Sequence, residues 1–295
     1  MKKRYTITQF RQDYPNDDVC LDKVFQLRYG NLVCKCGSEG TFSRVKNRRS
    51  YQCSNCSFQI YPTQGTILEK TRIPLTYWFY AAYLQSVTRN GVAAKELERQ
   101  LNICYHTALR MSHQLKIAMA DKSDKPLEGI IEADESWFGM SVRNMHSHKR
   151  AAFATSGKKN SLENKTTVLG MLERNGRVVT KIIEKATVEH VEEHIRTNIK
   201  IGSQLLTDAA QMYKSFNDAY FQNYVNHDKN EFVRGKVHTQ TIESFWSHLK
   251  RTIRGTHVHV SVKHLPKYMD EVAFRWQYKE RQDEMFDIIL KKIAS

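Results

Sequence analysis

Residues 129–139 read GIIEADESWFG, and their period is two. Ile131, Ala133, Glu135 and Trp137 fall on one side of an extended chain, with Glu132, Asp134 and Ser136 on the other. The stretch is predicted to be a strand. A carboxylate in mid-strand is costly unless it is exposed or holds a metal ion. Asp134 is therefore the first candidate for chemistry. Glu135 is its rival, but alternation turns it away from any site that Asp134 faces. Glu132 shares the face of Asp134 and reads as a supporting acid.

Working downstream, KTTVLGMLERNGRVVTKIIEKA (165–186) is predicted to be a hairpin turning at Asn175-Gly176. Residues 187–199 read as a helix, SQLLTDAAQMY (203–213) as a short strand ending on Asp208, and QNYVNH (222–227) as another strand. HTQTIESFWSHLKRTIRG follows, from His238 to Gly255. At helical period Ile242, Phe245, Trp246, Leu249 and Ile253 form an apolar stripe. Glu243, Ser247, Lys250 and Arg254 form a second stripe about a quarter-turn away, at roughly 100° per residue. Phe245 and Trp246 read as core rather than as base-stacking rings. A further helix over 261–279 is expected to turn Val262, Leu265, Met269, Val272 and Trp276 to the same core. The tail DEMFDIILKKIAS reads as a short apolar helix, either a dimer contact or a closing cap. Residues 139–165 are basic and without period; they are expected to be a loop, over a nucleic-acid groove or simply solvated.

The order strand, strand, strand, helix, strand, helix matches the ribonuclease-H-like fold, an α/β architecture with a mixed sheet and helices. In that fold the catalytic acids sit where two neighbouring strands and one helix converge. Asp134, Asp208 and Glu243 occupy those places. Cutting a phosphodiester in line at neutral pH suits two divalent ions about 3.5–4 Å apart, one serving the nucleophile and the other the leaving oxygen. Mg²⁺ (or Mn²⁺) takes hard oxygen ligands and keeps several waters, so a few carboxylates and the substrate phosphate suffice. The chain offers no histidine-rich alternative and no glycine loop to cradle a phosphate. Asp218 stands in a polar loop without a partner pattern, and His227 and His238 flank the site, to assist or merely to pack.

The balance of 46 Lys+Arg against 31 Asp+Glu, a net +15, points to a polyanionic partner, nucleic acid above all. A membrane surface is the competitor, but no apolar run nears the ~20 residues of a spanning helix. The start, MKKRYTITQF, carries no secretory signal. Of six cysteines, Cys34, Cys36, Cys53 and Cys56 are bunched, as metal ligands are in a reducing cytosol. Two close pairs around a short polar hairpin present four thiolates to Zn²⁺ as a zinc ribbon does. The first pair is C-x-C, one residue short. That shortening removes backbone N–H support from a sulfur, which makes Cys34 the questionable ligand and Cys20 its outside substitute. Residues 1–30 read as one or two short helices, the second capped by Asp17 or Asp18. After an apolar helix at IPLTYWFYAAYLQSV, two short helices meet at a tight Asn102–Cys104 turn. Val92, Leu97 and Leu101 mark the first, and Ala108, Met111, Leu115 and Met119 the second. The pair suits a helix-turn-helix whose second member offers Tyr105, His106, Arg110 and His113 to a DNA groove, against the plainer reading of a packed helical hairpin. The expected domains are an N-terminal helical segment (1–30), a zinc ribbon (31–66), a helix-turn-helix region (67–125), a catalytic domain (126–280) and a C-terminal helix (281–295).

Together the cysteine pairs followed by GTILEKTRIPLTYWFYA, then IEADESWFG, LLTDAAQMY and VNHDKNEFVRGKVHTQTIESFWSHLKRTIRGTHVHVS, resemble a DDE transposase of a prokaryotic insertion sequence. The group is the zinc-ribbon-headed, ISXO-type one, with distant relatives in the Merlin elements. The resemblance spans roughly residues 30 to 280, and its last motif is the most specific. It puts the three family acids on Asp134, Asp208 and Glu243, and the family's lysine on Lys250. It implies metal-dependent cutting at transposon ends and transfer of 3′-hydroxyl ends into target DNA. Asp134 and Asp208 would hold two Mg²⁺, Glu243 would complete the second site, and Lys250, Arg251 and Arg254 would grip phosphates. It also implies double-stranded DNA at both transposon ends and target, a homo-oligomer in the synaptic complex, and a bacterial, cytoplasmic, nucleoid-associated protein. The C-x-C pair departs from the pattern. Two other readings compete: a catalytically silent or domesticated DNA-binding descendant, and a ribonuclease-H-like nuclease acting on hybrids or junctions.

Overall fold

The computed structural model describes residues 5–37, 42–139, 142, 145–156, 165–208, 213, 216, 218–225 and 233–295. The chain divides into two compact units, residues 121–277 and residues 1–120 with 278–295.

In the unit that holds both termini, α1 (Ile7–Asp13) and α2 (Asp17–Tyr29) precede a three-stranded antiparallel sheet of β1 (Phe42–Arg44), β2 (Tyr51–Cys53) and β3 (Gln59–Ile60). Asn16 caps α2, its side chain accepting from the Val19 N–H at 3.0 Å. Asp17 and Asp18 lie inside the first turn, where carboxylates meet the helix dipole; neither is the cap that the sequence suggested. Asp17 instead accepts from the N–H and hydroxyl of Thr76, both at 3.0 Å, fastening α2 to the start of α3 (Leu75–Val87). The small sheet leans on α2 through Phe25 and Tyr51, stacked with centroids 4.1 Å apart. Then come α4 (Ala94–Leu101) and α5 (Tyr105–Met119). Asn102 turns between them with φ 51, a left-handed position that asparagine tolerates. Leu97, Leu101, Ala108, Met111, Leu115 and Met119 are all buried. The tail helix α10 (Met285–Ile293) packs on α3 and α5, burying Phe286, Ile289, Leu290 and Ile293.

In the second unit, β4 (Ile130–Phe138), β5 (Thr166–Glu173), β6 (Val178–Ile183), β7 (Gln204–Asp208) and β8 (Phe221–Val225) form one sheet in the order β6-β5-β4-β7-β8. β4, β5 and β6 are mutually antiparallel, whereas β7 and β8 run parallel to β4. That order and polarity are those of the ribonuclease-H-like fold. Asn175, with φ 62, turns the β5–β6 hairpin where an Asn-Gly pair belongs. One face carries Ile131, Ala133, Leu169 and Met171 against Val191 and Ile195 of α7 (Val188–Asn198). The other carries Val168 and Leu172 against α8 (Gln240–Thr252) and α9 (Leu265–Gln277).

Two further expectations fail. The stretch expected as a loop contains α6, Ser147–Thr155. Its alanines (Ala151, Ala152, Ala154) favour helix by propensity and leave no amphipathic period to read. Val262 precedes α9 and is 56% exposed. The helix starts only at Leu265-Pro266, with proline in the first turn where its missing N–H is harmless, so Val262 never joins the helical phase.

Candidate active site

The register of the sheet brings the first two acids level. Ile130 pairs with Gln204 and Glu132 with Leu206 in parallel; continued by two residues, the same offset sets Asp134 beside Asp208. The pairing has ended by then, so the strands part where the acids stand. By alternation both side chains leave the sheet on the face that α8 covers, and Glu243, in the first turn of α8, meets them there. Asp134 is partly buried and its carboxyl is pushed up to about 6. Burial is the main cause, and the charges of Asp208 and Glu243 add to it against the Glu135 N–H and the Trp246 indole. Three elements thus aim negative charge at one place.

Trp246 does more than fill the core. Its Nε1–H donates to Asp134 Oδ2 at 3.0 Å, and its ring lies over Gly170, the residue that pairs with Asp134 on β5. Neither role is visible in the sequence.

Glu132, fully buried, holds α8 in place. It accepts from the Ile242 N–H at 2.9 Å, Thr241 Oγ1 at 2.8 Å and Arg174 Nε at 2.6 Å. Thr239 at the N-cap makes no side-chain cap bond, so a carboxylate from 110 residues upstream does that work and meets the positive end of the helix. Arg174 also donates to the carbonyls of Lys236 and His238 at 2.8 and 3.0 Å. The supporting acid is thus an anchor for the helix that bears Glu243. His238 lies beside it, Nδ1 3.6 Å from Glu132 Oε1, while His227 lies outside the described residues.

Glu135 points to the opposite face, as alternation requires, and accepts a hydrogen bond from Tyr213. Burial raises its carboxyl to about 8, so it is neutral at pH 7. Asp218 is paired with Arg196 at 3.2 Å.

Lys250 sits 5.9 Å from the Phe138 ring centroid. Burial and the charges of Arg254 and Lys165 hold its ammonium below the usual range, while Asp134 pulls the other way. Lys165, unremarked in its basic stretch, therefore lies near enough to Lys250 to repel it. Arg251 and Arg254 are exposed; on α5, Tyr105, His106 and Arg110 are exposed and His113 is half-buried.

Among the described residues the cysteines are the one set of three or more ligand-type groups whose donor atoms all lie within 4.8 Å of one another. Cys34 and Cys56 sulfurs are 3.5 Å apart, those of Cys36 and Cys53 3.8 Å. A tetrahedron with arms of about 2.3 Å has edges of about 3.8 Å, so the donor set fits a structural zinc ion. Cys34 is a full member despite the short knuckle, with the Cys36 N–H directed at its sulfur. Cys20 is buried within α2, away from the cluster. The three carboxylates are spread more widely than the thiols.

The family models match accordingly. Residues 126–277 match an ISXO2-like transposase domain and residues 15–59 a transposase zinc-ribbon domain. An uncharacterized protein in transposable element ISH50 of Halobacterium salinarum is 27% identical over 263 residues, 85% of this chain and 87% of that one. A chain in the cryo-EM structure of a simian T-cell lymphotropic virus intasome in complex with PP2A regulatory subunit B56 gamma aligns over 64% of both chains, at 12% identity and a TM-score of 0.29; so low a score carries no argument. With more than half of its residues matched by the catalytic-domain model, the chain belongs to the ISXO2-like transposase family.

Proposed function

We propose that this protein is a DNA transposase that binds the terminal inverted repeats of its insertion sequence, cuts the strands there and joins the ends to target DNA. The observation that carries this reading is the register that sets Asp134 beside Asp208 on the sheet face covered by α8, with Glu243 in the first turn of that helix: carboxylates from three elements converging at the end of a strand pairing make a site for divalent cations. Asp134, Asp208 and Glu243 would hold two Mg²⁺ (or Mn²⁺), which when bound supply charge for both the attacking and the leaving oxygen. The chain's own residues do the positioning. Trp246 orients Asp134, and Glu132 with Arg174 fixes the helix that carries Glu243. Lys250, Arg251 and Arg254 take the backbone phosphates on either side of the scissile bond. Tyr105, His106 and Arg110 of α5 read the terminal repeat in the major groove. The reading places the protein on bacterial chromosomal DNA, as an oligomer that pairs two ends.

The test is cleavage and strand transfer by the purified chain on duplexes carrying its element's ends, with and without Mg²⁺. Asp134→Asn and Asp208→Asn should each abolish both steps while leaving end binding within about twofold, because transition-state charge and not ground-state affinity is lost. Cutting that survives these substitutions, or that ignores the terminal repeats, would overturn the assignment.

A further inference from the structure

From Ser244 to Met269 the chain has no Asp or Glu, against five Lys/Arg and four His. Within this span α8 gives way to a π-helical turn, Ile253–His257, a rare element found often at functional sites. It ends at Val258, with φ 62 and ψ −56. The His259 N–H reaches back to the His257 carbonyl at 2.6 Å. Those angles with that closure define a γ-turn of the rare, strained kind. A β-branched residue tolerates positive φ poorly, whereas glycine is free there.

The strained residue nevertheless buries nothing: Val258 is 80% exposed. The base of the turn is firm, with Leu249, Thr252 and Leu265 buried and the His257 ring edge-on to Tyr268 at 4.6 Å. Its flanks are cationic, with Arg251, Arg254 and Lys263 exposed, and His259 is exposed beside them. A rigid stalk, a cationic collar and an apolar tip held at the expense of backbone strain make a tool for an outside partner. The collar suits a polyanion.

We propose that Val258 is a wedge that enters the minor groove of the bound duplex and opens one base step while the collar holds the flanking phosphates. This rests on the transposase reading above. Val258 lies about four turns along from Glu243, roughly 20 Å at 1.5 Å per residue, which is about six base pairs at 3.4 Å each. The opened step is therefore displaced from the scissile phosphate by about half a turn of duplex.

The experiment places 2-aminopurine singly at each position over one helical turn on both sides of the cleavage point. Its fluorescence is read with the full chain bound, Ca²⁺ replacing Mg²⁺ so that nothing is cut. Wild type should give one maximum about half a turn from the cleavage point. Val258→Gly should abolish it and slow strand transfer about tenfold, yet raise Tm by about 2–4 °C because strain is released. Val258→Met should restore the signal. Asp208→Asn should keep the fluorescence while losing cleavage, which separates the wedge from the chemistry. A Val258→Gly protein with the wild-type maximum overturns the wedge, as does one whose only change is in self-association by sedimentation. A wild-type chain that does not bind the ends sinks the transposase reading, and the wedge with it.

Discussion

Gly170 makes room for Trp246: a Cβ on Gly170 would stand 2.5 Å from the indole Cζ2. Because Gly170 pairs with Asp134, the space is what lets the indole reach across β5 and donate to that carboxylate. Gly170→Ala is expected to destabilise the protein by about 1–3 kcal/mol through overpacking and to slow end cleavage as the indole is displaced. Trp246→Phe separates the two roles. It keeps an aromatic ring in the core but removes a donor that favours ionised Asp134, so the acid limb of the pH–rate profile should move to higher pH. Urea unfolding checks the first variant and the pH profile the second; wild-type stability in Gly170→Ala would refute the clearance argument.

Glu132 offers a second test. It is fully buried and bound to a guanidinium, a hydroxyl and a backbone N–H. Removing one partner of a buried pair leaves the other uncompensated, so Glu132→Ala should cost about 3–5 kcal/mol. Glu132→Gln keeps one acceptor oxygen, enough for the Ile242 N–H, and should fall between. Combining it with Arg174→Met should recover part of the loss, since no lone charge then remains. Unfolding free energies of the three variants decide it: a loss under about 1 kcal/mol for Glu132→Ala would mean that α8 is held by its apolar face alone.

What the sequence disclosed, and what it hid, divides along range. The alternation of 130–138, the Asn175-Gly176 turn and the apolar stripe of α8 are local patterns, and they suffice to place Asp134, Asp208 and Glu243 on the right elements. The Trp246–Asp134 bond spans 112 residues and the Glu132–Ile242 bond 110. No period encodes such pairs, and Gly170 reads only as a gap in a strand until Trp246 is laid over it. Similarly α6 leaves no periodic signal, because its helix rests on alanine propensity rather than on an apolar stripe. The π-turn at Ile253–His257 interrupts what reads as one continuous helix to Gly255.

Glu135 predicts a pH dependence of stability with an unusual sign. Burial lifts its carboxyl from 4.5 to about 8, so the folded chain binds a proton that the unfolded chain has already released. Stability must then fall as pH rises through the window from 4.5 to about 8. Asp134, raised from 3.8 to about 6, adds the same sign at lower pH. Metal-free protein should therefore melt at lower temperature at pH 8 than at pH 5.5 from these two groups. Glu135→Gln, neutral throughout and still able to accept from Tyr213, should be nearly silent below pH 4.5 and increasingly stabilising as pH rises to about 8. Thermal melts across pH check this; an unchanged slope in Glu135→Gln would reassign the dependence to Asp134 or elsewhere.

The thiol cluster supplies the last prediction. The N–H groups of Cys56 and Asn55 pull the Cys53 thiol down to about 6, which makes that sulfur a thiolate at neutral pH and a ready first ligand. β1, β2 and β3 together number eight residues, too few to build a core, so metal binding and folding of this segment should be one event. Protein purified under reducing conditions should carry about one zinc per chain, with Cys34→Ser and Cys36→Ser losing it and Cys20→Ser retaining it. Chelation should melt the segment around the cysteines while the unit of residues 121–277 keeps its own transition. Affinity should weaken as pH falls, because protons compete for the sulfurs. Metal analysis of these three variants settles the ligand set. Full zinc in Cys34→Ser, lost only when Cys20 is also replaced, would hand the fourth position to Cys20 and show that the short knuckle cannot bring Cys34 to the metal.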